Sequence, residues 1–362
     1  MTQELLKIIL LLSFGQAVTF SLLLLFKQKG DVSANRILAV FLIVMVVPLW
    51  NEYVHTLPQS FHMLVLQPKF FYIPFLYGPL LYLYTLSLTK SRKISLLYIL
   101  LLLVGPVFGS VFITVHFYFY QFSQFTWYIL FMLVNVQIGL CLLASWLRLK
   151  QHNNDLKQNL SNIEKAKLDW LKSLIYSYGL LLVLGVMLST SKLFSLASFD
   201  LLYFLVSLGD AVFIFFVGFY GLSQPEIYFE DKFIKANGKY DNSSLSKLKR
   251  VALINSLNEL MHTQELYLDN EISLQSLSKK LNVTSHHLSQ ALNQQLNKNF
   301  YDYINTARVQ KAKKMLSDSG FQKVAIIDIA YQVGFNNKTS FNNAFKKQTQ
   351  LTPSQYRLKL NS

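Results

Sequence analysis

The sequence predicts an all-α chain, a bundle of seven membrane-spanning helices followed by a basic helical domain built on two helix-turn-helix units. Three observations predict it. First, 362 residues carry a net charge of +15, yet 52% are hydrophobic and only 15% charged. Those figures reconcile if grease and charge lie in different parts of the chain. Second, apolar runs dominate up to Leu222, whereas from Lys247 onward sixteen Lys and Arg face seven Asp and Glu. Third, the basic part repeats itself. Leu277 to Ile329 is 52 residues and Leu288 to Phe341 is 53, so one helical plan recurs with one extra turn residue. The expected domains are 1–222 (membrane), 223–246 (linker) and 247–362 (basic domain).

About 20 apolar residues cross a bilayer. Seven segments qualify: Leu5–Phe26, Ile37–Val54, Phe70–Leu88, Ile94–Val115, Trp127–Leu147, Leu174–Phe194 and Leu201–Leu222. The third contains Pro74 and Pro79, which predict a kink that neighbouring membrane helices can accommodate. No small-x-small cleavage site follows Leu5–Phe26, so it reads as a span and not as a cleaved signal peptide. The single cysteine, Cys141, lies within an apolar run and excludes both an intrachain disulfide and a cysteine zinc site.

Loop charge orients the bundle. With the N-terminus outside, the inner loops hold Lys27, Lys29, Arg36, Lys90, Arg92 and Lys93. The next inner loop adds Arg148, Lys150, Lys157, Lys165, Lys167 and Lys172. The outer segments hold only Lys7, Lys69 and Lys192. This bias expects a multi-pass protein of the inner (cytoplasmic) membrane with the basic domain in the cytoplasm. The longest outer loop, His55–Lys69, is about 15 residues, too short for an external domain, so sensing would take place within the bundle or at its outer mouth.

Polar residues at membrane depth are candidates for that sensing. Asp210, between Gly209 and Ala211 in the seventh span, is the sharpest, because a carboxylate there is costly and usually faces the bundle interior. Its bland role would be a protonated bond to a neighbouring helix. Asn135 and Gln137 in the fifth span are further sensing candidates, or simply interhelical glue. Glu52, His55, His62 and His116 fall near the outer face without metal-ligand spacing.

The inner segment Lys150–Lys172 is polar and helix-compatible. It reads either as lying on anionic lipid or as a solvated helix–loop connection. The linker carries Pro225, Gly238 and a polar run at Asp241–Ser244, with Ile227–Phe229 and Phe233–Ile234 suited to packing. Leu248, Val251, Ile254, Leu257 and Met261 then form a helical stripe. It would pack on the basic domain, or else form a dimer or transmit a signal.

In the first unit, about 273–296, Leu274, Leu277 and Leu281 face one way and Ser273 can cap their helix. Asn282-Val283-Thr284 breaks it, and Ser285 can cap a second helix carrying Leu288, Leu292 and Leu296. Ser278 is small enough for a close crossing. In the second unit, about 325–349, Ile326, Ile329, Ala330 and Val333 form the first face and Gly334 the turn. Phe341 and Phe345 anchor the second helix. Between the units, Phe300, Tyr303, Ile304, Ala307, Met315 and Leu316 share a face of a helix over 300–318. Such a helix is about 28 Å long. It suits second helices that enter successive major grooves roughly 34 Å apart on duplex DNA.

These residues resemble the AraC/XylS-type DNA-binding domain. The matches are Ile329-Ala330, Gly334-Phe335, Phe341, Phe345-Lys346-Lys347 and Thr352-Pro353-Ser354-Gln355-Tyr356-Arg357. Tyr303-Ile304 with Arg308 and Ala312 fit the linker, and Leu288-Ser289 the first unit. The resemblance covers about 85 to 110 C-terminal residues. It implies a bacterial transcription regulator, most often an activator, with double-stranded DNA and RNA polymerase as partners and a homodimer among its expected states. Where the family often carries Arg, this chain has Gln290 and Asn343, so it would have a base preference of its own.

Phosphate neutralisation supplies most DNA affinity and base edges supply specificity. The phosphate candidates are Lys279, Lys280, Lys298, Arg308, Lys311, Lys346, Lys347 and Arg357, with Lys338 able to serve either purpose. Base readers are expected on the exposed N-terminal half of each second helix, namely His286, Ser289 and Gln290, then Lys338, Thr339, Asn342 and Asn343. Asn and Gln suit adenine, and Lys suits guanine. His286-His287 is no metal site, because adjacent helical side chains point about 100° apart.

Together these features expect a membrane-bound regulator, not an enzyme, that couples a small-molecule or lipophilic ligand to promoter binding in a lipid bilayer. It needs no cofactor or metal. HExxH, GxSxG and Walker sequences do not occur in it. The alternatives are a membrane enzyme or transporter with an autoregulatory DNA-binding tail, and a non-specific DNA tether.

Overall fold

The computed structural model describes residues 2–58, 60, 73–89, 107, 109, 111, 124–164, 166–196, 199–223 and 245–361. Its named elements are all helices. The chain divides into two compact units. The first comprises Met1–Lys150 with Leu168–Ile227, and the second comprises Gln151–Lys167 with Tyr228–Ser362.

The first unit contains α1 (Thr2–Phe26), α2 (Val32–His55), α3 (Tyr77–Thr89), most of α4 (Gln124–Asn159), α5 (Asp169–Leu193) and α6 (Phe199–Ser223). Among the described residues, five helices are long and apolar enough to cross a membrane: α1, α2, α4, α5 and α6. They coincide with five of the seven expected spans. The third expected span is a shorter apolar stretch, Ile73–Thr89. Pro74 lies in a 3-10 turn and Pro79 in the first turn of α3, so the prolines start the helix where a kink was expected. The fourth, Ile94–Val115, lies outside the described residues apart from three isolated positions, as do His62, His116 and nearly all of the linker.

The core of this unit includes Leu38, Phe41, Leu42, Tyr84, Tyr178, Phe213 and Val217. Phe41 meets Tyr77, Tyr178 and Phe213 edge to face with ring centroids 5.9–6.3 Å apart, which suits the aromatic quadrupoles. Gly218 lets α6 approach α1, because a Cβ there would lie 2.2 Å from the Phe20 ring. Basic side chains close helix C-termini. Lys27 Nζ donates to the carbonyls of Gly221 and Leu222 at 3.0 and 2.8 Å, and Arg148 Nη2 to that of Thr89 at 2.6 Å. Each cation meets the negative end of a helix dipole as well as an orphan carbonyl. The outward faces expose Leu12, Leu140, Leu180, Val183 and Val212.

The second unit contains α7 (Lys247–Gln264), α8 (Leu274–Lys280), α9 (Ser285–Leu296), α10 (Phe300–Ser317), α11 (Ile326–Gln332), α12 (Lys338–Thr349) and α13 (Pro353–Asn361). It has two cores, and α10 serves both. Phe300 and Ile304 join Leu257, Leu277, Leu288 and Leu292 in one. Val309, Ala312, Met315 and Leu316 join Ile329, Val333, Phe341 and Phe345 in the other. The stripe on α7 packs on the first core through Leu253, Ile254, Leu257 and Met261. Its expected members Leu248 and Val251 are instead exposed, Leu248 at 84%. Of Lys150–Lys172, expected to lie on lipid or in solvent, the part Gln151–Lys167 packs within this second unit.

Candidate nucleic-acid interface

Short polar residues at the helix ends set the geometry of both helix-turn-helix units. Ser273 and Ser276 form a capping box at α8: the Ser273 hydroxyl accepts from the Ser276 N–H at 3.2 Å, and Ser276 Oγ accepts from the Ser273 N–H at 3.1 Å. The turn then passes through Asn282 at φ +54, in the left-handed region that Asn tolerates. Thr284, not Ser285, caps α9, accepting from the His287 N–H at 3.2 Å. Ser285 is thereby freed to meet the Ser278 hydroxyl at 3.0 Å, where α8 and α9 cross. In the second unit Asn337 caps α12, accepting from the Ser340 N–H at 2.8 Å. At α13 the Thr-Pro-Ser-Gln run is another reciprocal cap. The Thr352 N–H donates to Gln355 Oε1 at 2.9 Å, and the Gln355 N–H to Thr352 Oγ1 at 3.3 Å, with Pro353 first in the helix.

Gly334 has φ +92. A Cβ on it would lie 2.7 Å from the Leu268 carbonyl, 2.8 Å from that of Tyr267 and 3.0 Å from Arg308 Nε. The turn needs glycine for its backbone angle and equally for this close approach. What it approaches is the structural hub of the unit. Arg308 is 1% exposed. Its Nε donates to the Tyr267 carbonyl at 2.7 Å and its Nη2 to the Asp269 carbonyl at 2.8 Å. Its guanidinium lies 5.5 Å from the Phe335 ring centroid. Burial pulls its pKa down to about 10, with Asp269 and Tyr301 pulling the other way, so it stays charged at neutral pH. The expectation that Arg308 meets DNA phosphate is therefore corrected, since a buried guanidinium spent on carbonyls has no donor facing solvent.

The other phosphate candidates lie nearer the surface. Lys279, Lys280, Lys346 and Lys347 are exposed, and Lys298, Lys311 and Arg357 half-buried. Lys347 pairs with Asp302 at 2.7 Å and Lys311 with Glu265 at 2.8 Å. Lys298 Nζ donates to Thr306 Oγ1 at 3.2 Å and Arg357 Nη1 to the Gln322 carbonyl at 3.3 Å.

The expected base readers sit on α9 and α12 as follows. His286, Lys338, Thr339 and Asn343 are exposed. Ser289, Gln290 and Asn342 are half-buried. Gln290 Oε1 accepts from the Leu245 N–H at 3.4 Å, which turns its acceptor towards the domain entry. Asn342 Oδ1 is shielded without a hydrogen-bond partner. Two polar residues of these helices, Asn293 and the buried Ser340, were missed. Asn293 lies one turn beyond Ser289 and its Nδ2 donates to Ser289 Oγ at 3.4 Å; continuing the i, i+4 row from Ser289 would have found it. Ser340, two residues into α12, had no such signal.

In the first unit the sensing candidates separate. Asn135 Nδ2 donates to the Phe131 carbonyl of its own helix at 2.7 Å. Gln137 Nε2 reaches the Phe75 carbonyl at 3.2 Å, leaving Oε1 buried and unpartnered. Asp210 lies near enough to Glu52 to interact with it electrostatically, and Glu52 also holds the Tyr203 hydroxyl. Among the described residues no group of His, Cys, Asp and Glu is arranged to hold a metal ion.

Comparison with known proteins decides what the two repeated units are. Residues 277–359 match the family model of a helix-turn-helix domain. This part of the chain is a helix-turn-helix domain. An HTH-type transcriptional regulator of Staphylococcus aureus (strain COL) is 35% identical over 101 residues, 28% of this chain and 13% of that one. An HTH-type transcriptional regulator of Pseudoalteromonas carrageenovora is 28% identical over 127 residues, 34% of this chain and 74% of that one. The C-terminal domain of AraT, a response regulator from Geobacillus stearothermophilus, aligns at 28% identity and a TM-score of 0.27, covering 32% of this chain and 88% of that one. This chain thus spans about an eighth of the staphylococcal relative's length, and the likeness to each is confined to about a third of this chain or less.

Proposed function

We propose that this chain is a membrane-embedded transcription regulator whose helix-turn-helix domain reads duplex DNA on the cytoplasmic side. One observation carries the reading. Two helix-turn-helix units, each with its own core, are fixed to a single 18-residue helix and present exposed polar residues at the start of each second helix. That helix is about 27 Å long, a separation that suits adjacent major grooves. Base preference then rests on His286, Ser289, Gln290, Lys338, Thr339, Asn342 and Asn343. Lys279, Lys280, Lys298, Lys311, Lys346, Lys347 and Arg357 supply phosphate attraction. The five apolar helices with leucine and valine on their outward faces support a bilayer as the surroundings of the first unit, and inner-loop lysines and arginines support an external N-terminus. Asp210, with Asn135 and Gln137, is the proposed seat of a small-molecule or lipophilic signal. Activation through RNA polymerase, and a homodimer on DNA, follow from the same reading.

The test is selection of random duplexes by the full chain in lipid nanodiscs, followed by footprinting. Two protected patches about one helical turn apart on one face of an enriched sequence are expected. Protection without an enriched sequence would reduce the chain to a non-specific DNA tether.

A further inference from the structure

The stretch Gln151–Lys167 makes contacts that an interhelical connection does not need. Gln158 Oε1 accepts from Ser289 Oγ at 3.2 Å and from Asn293 Nδ2 at 3.1 Å, two side chains one turn apart on α9. Six residues later, Glu164 Oε1 accepts from the Ser340 hydroxyl at 2.8 Å, in the first turn of α12. Between them Ser161 Oγ donates to the Ile272 carbonyl at 2.8 Å, just before α8, and accepts from Arg308 Nη2 at 3.4 Å. Leu160 and Ser273 form an antiparallel bridge, and Leu156, Ser161 and Ile163 are buried. One short stretch therefore reaches the second helix of both helix-turn-helix units and is pinned to Ile272 and Ser273 before α8 and to Arg308 of α10.

We infer that the DNA-reading face of this domain is a docking surface for the chain's own Gln151–Lys167 segment, so that the segment and duplex DNA compete for α9 and α12. The inference rests on the proposed DNA-binding function. A base edge read from α9 must come within about 3 Å of its side chains, the space Gln158 fills. The Glu164 carboxylate at the start of α12 would also repel a phosphate brought there. Because the segment begins as the last turns of α4, Gln151–Asn159, and leads into α5, movement of those helices would be transmitted along the chain to the reading face. A signal received among the apolar helices would act on DNA binding by withdrawing the segment.

The test uses the full chain in lipid nanodiscs and a fluorescent pool of random 30-base-pair duplexes. In a Cys141→Ala background, Leu160→Cys with Ser273→Cys places thiols across the antiparallel bridge, a separation disulfides accept. Oxidation is expected to close the disulfide and weaken duplex binding at least about tenfold, with dithiothreitol restoring it. Gln158→Ala with Glu164→Gln, without the cysteines, is expected to bind about tenfold tighter than the parent, the scale of one to two lost hydrogen bonds. Equal binding by the oxidised and reduced forms would overturn the competition while leaving DNA binding intact. So would failure of the disulfide to form, since the bridge would then be absent. If no form binds duplex, the DNA-binding reading fails and takes this inference with it.

Discussion

Arg308 shows how a charge can be spent on architecture. Its guanidinium serves two carbonyls of the turn before α8, one at 2.7 Å and the other at 2.8 Å, and stacks towards Phe335 of the second unit. It thus ties the α7 exit to the Gly334 turn across α10. Replacing it by Met leaves buried carbonyls without donors. Arg308→Met should therefore cost about 3 kcal/mol, read as faster pulse proteolysis of the C-terminal domain. Arg308→Lys should not rescue it, because one ammonium cannot reproduce the fork. A stable Lys variant with weakened DNA binding would return this residue to the phosphate-binding set. At the reading face, Gln290→Ala or Asn342→Ala should relax base preference more than it lowers affinity for random DNA, measured by selection from random duplexes. Uniform loss with preference intact would exclude them as readers. Glu164 is pushed up by burial, but bonds from Lys167 and Ser340 and the Lys167 charge together hold it below the usual carboxylate range. Lys167 belongs to the same segment and stays beside Glu164 whether or not the segment is docked, so the Ser340 bond at 2.8 Å is the part that docking adds. Ser340→Ala should therefore loosen Gln151–Lys167, seen as faster hydrogen exchange at Leu160 and Ser161. No change in that exchange would remove the Glu164–Ser340 bond from the contact.

At the scale of elements, α10 is a spine with two cores on it, and α9 and α12 hang from those cores at fixed spacing. Lysines on such rigid helices act on DNA as additive point charges. Each of Lys279→Ala, Lys280→Ala and Lys346→Ala should reduce the slope of log affinity against log salt by about 0.9 if it meets a phosphate, without altering the selected sequence. Lys347→Ala should do less, because Lys347 already pairs with Asp302 at 2.7 Å. A salt slope unmoved by any of the three would place DNA elsewhere on the domain. The elements themselves were largely legible in advance. Leucine and phenylalanine rows at three- and four-residue spacing marked α8 to α12 because a helix must turn one stripe inward to bury it. Ser273 and Gly334 marked an end and a turn because few residues satisfy those backbone demands. The α7 stripe was misplaced at its first turns, where Leu248 and Val251 are exposed among the described residues. The cap of α9 moved from Ser285 to Thr284, since neighbouring hydroxyls compete and the crossing with α8 claims one of them.

For the whole molecule, the proposed function requires the helix-turn-helix domain and the lysine- and arginine-rich loops to share one side of a membrane. A cysteine at exposed Ser354, in a Cys141→Ala background, should react with a membrane-impermeant maleimide only after the cell envelope is breached. Labelling in intact cells would put the helix-turn-helix domain on the wrong side for DNA. The sequence by itself determined what depends on near neighbours: apolar spans, charge bias, caps, turns and the doubled helix-turn-helix plan. Those features repeat with the period of a helix or follow from the backbone of one or two residues. Only the tertiary structure decided that Arg308 is a buried strut, that Pro79 sits in the first turn of α3, and that Gln158 and Glu164 meet side chains of α9 and α12. These facts rest on contacts between residues as many as 176 positions apart. No periodicity carries such a pairing, because it depends on where the packed cores bring the chain back upon itself.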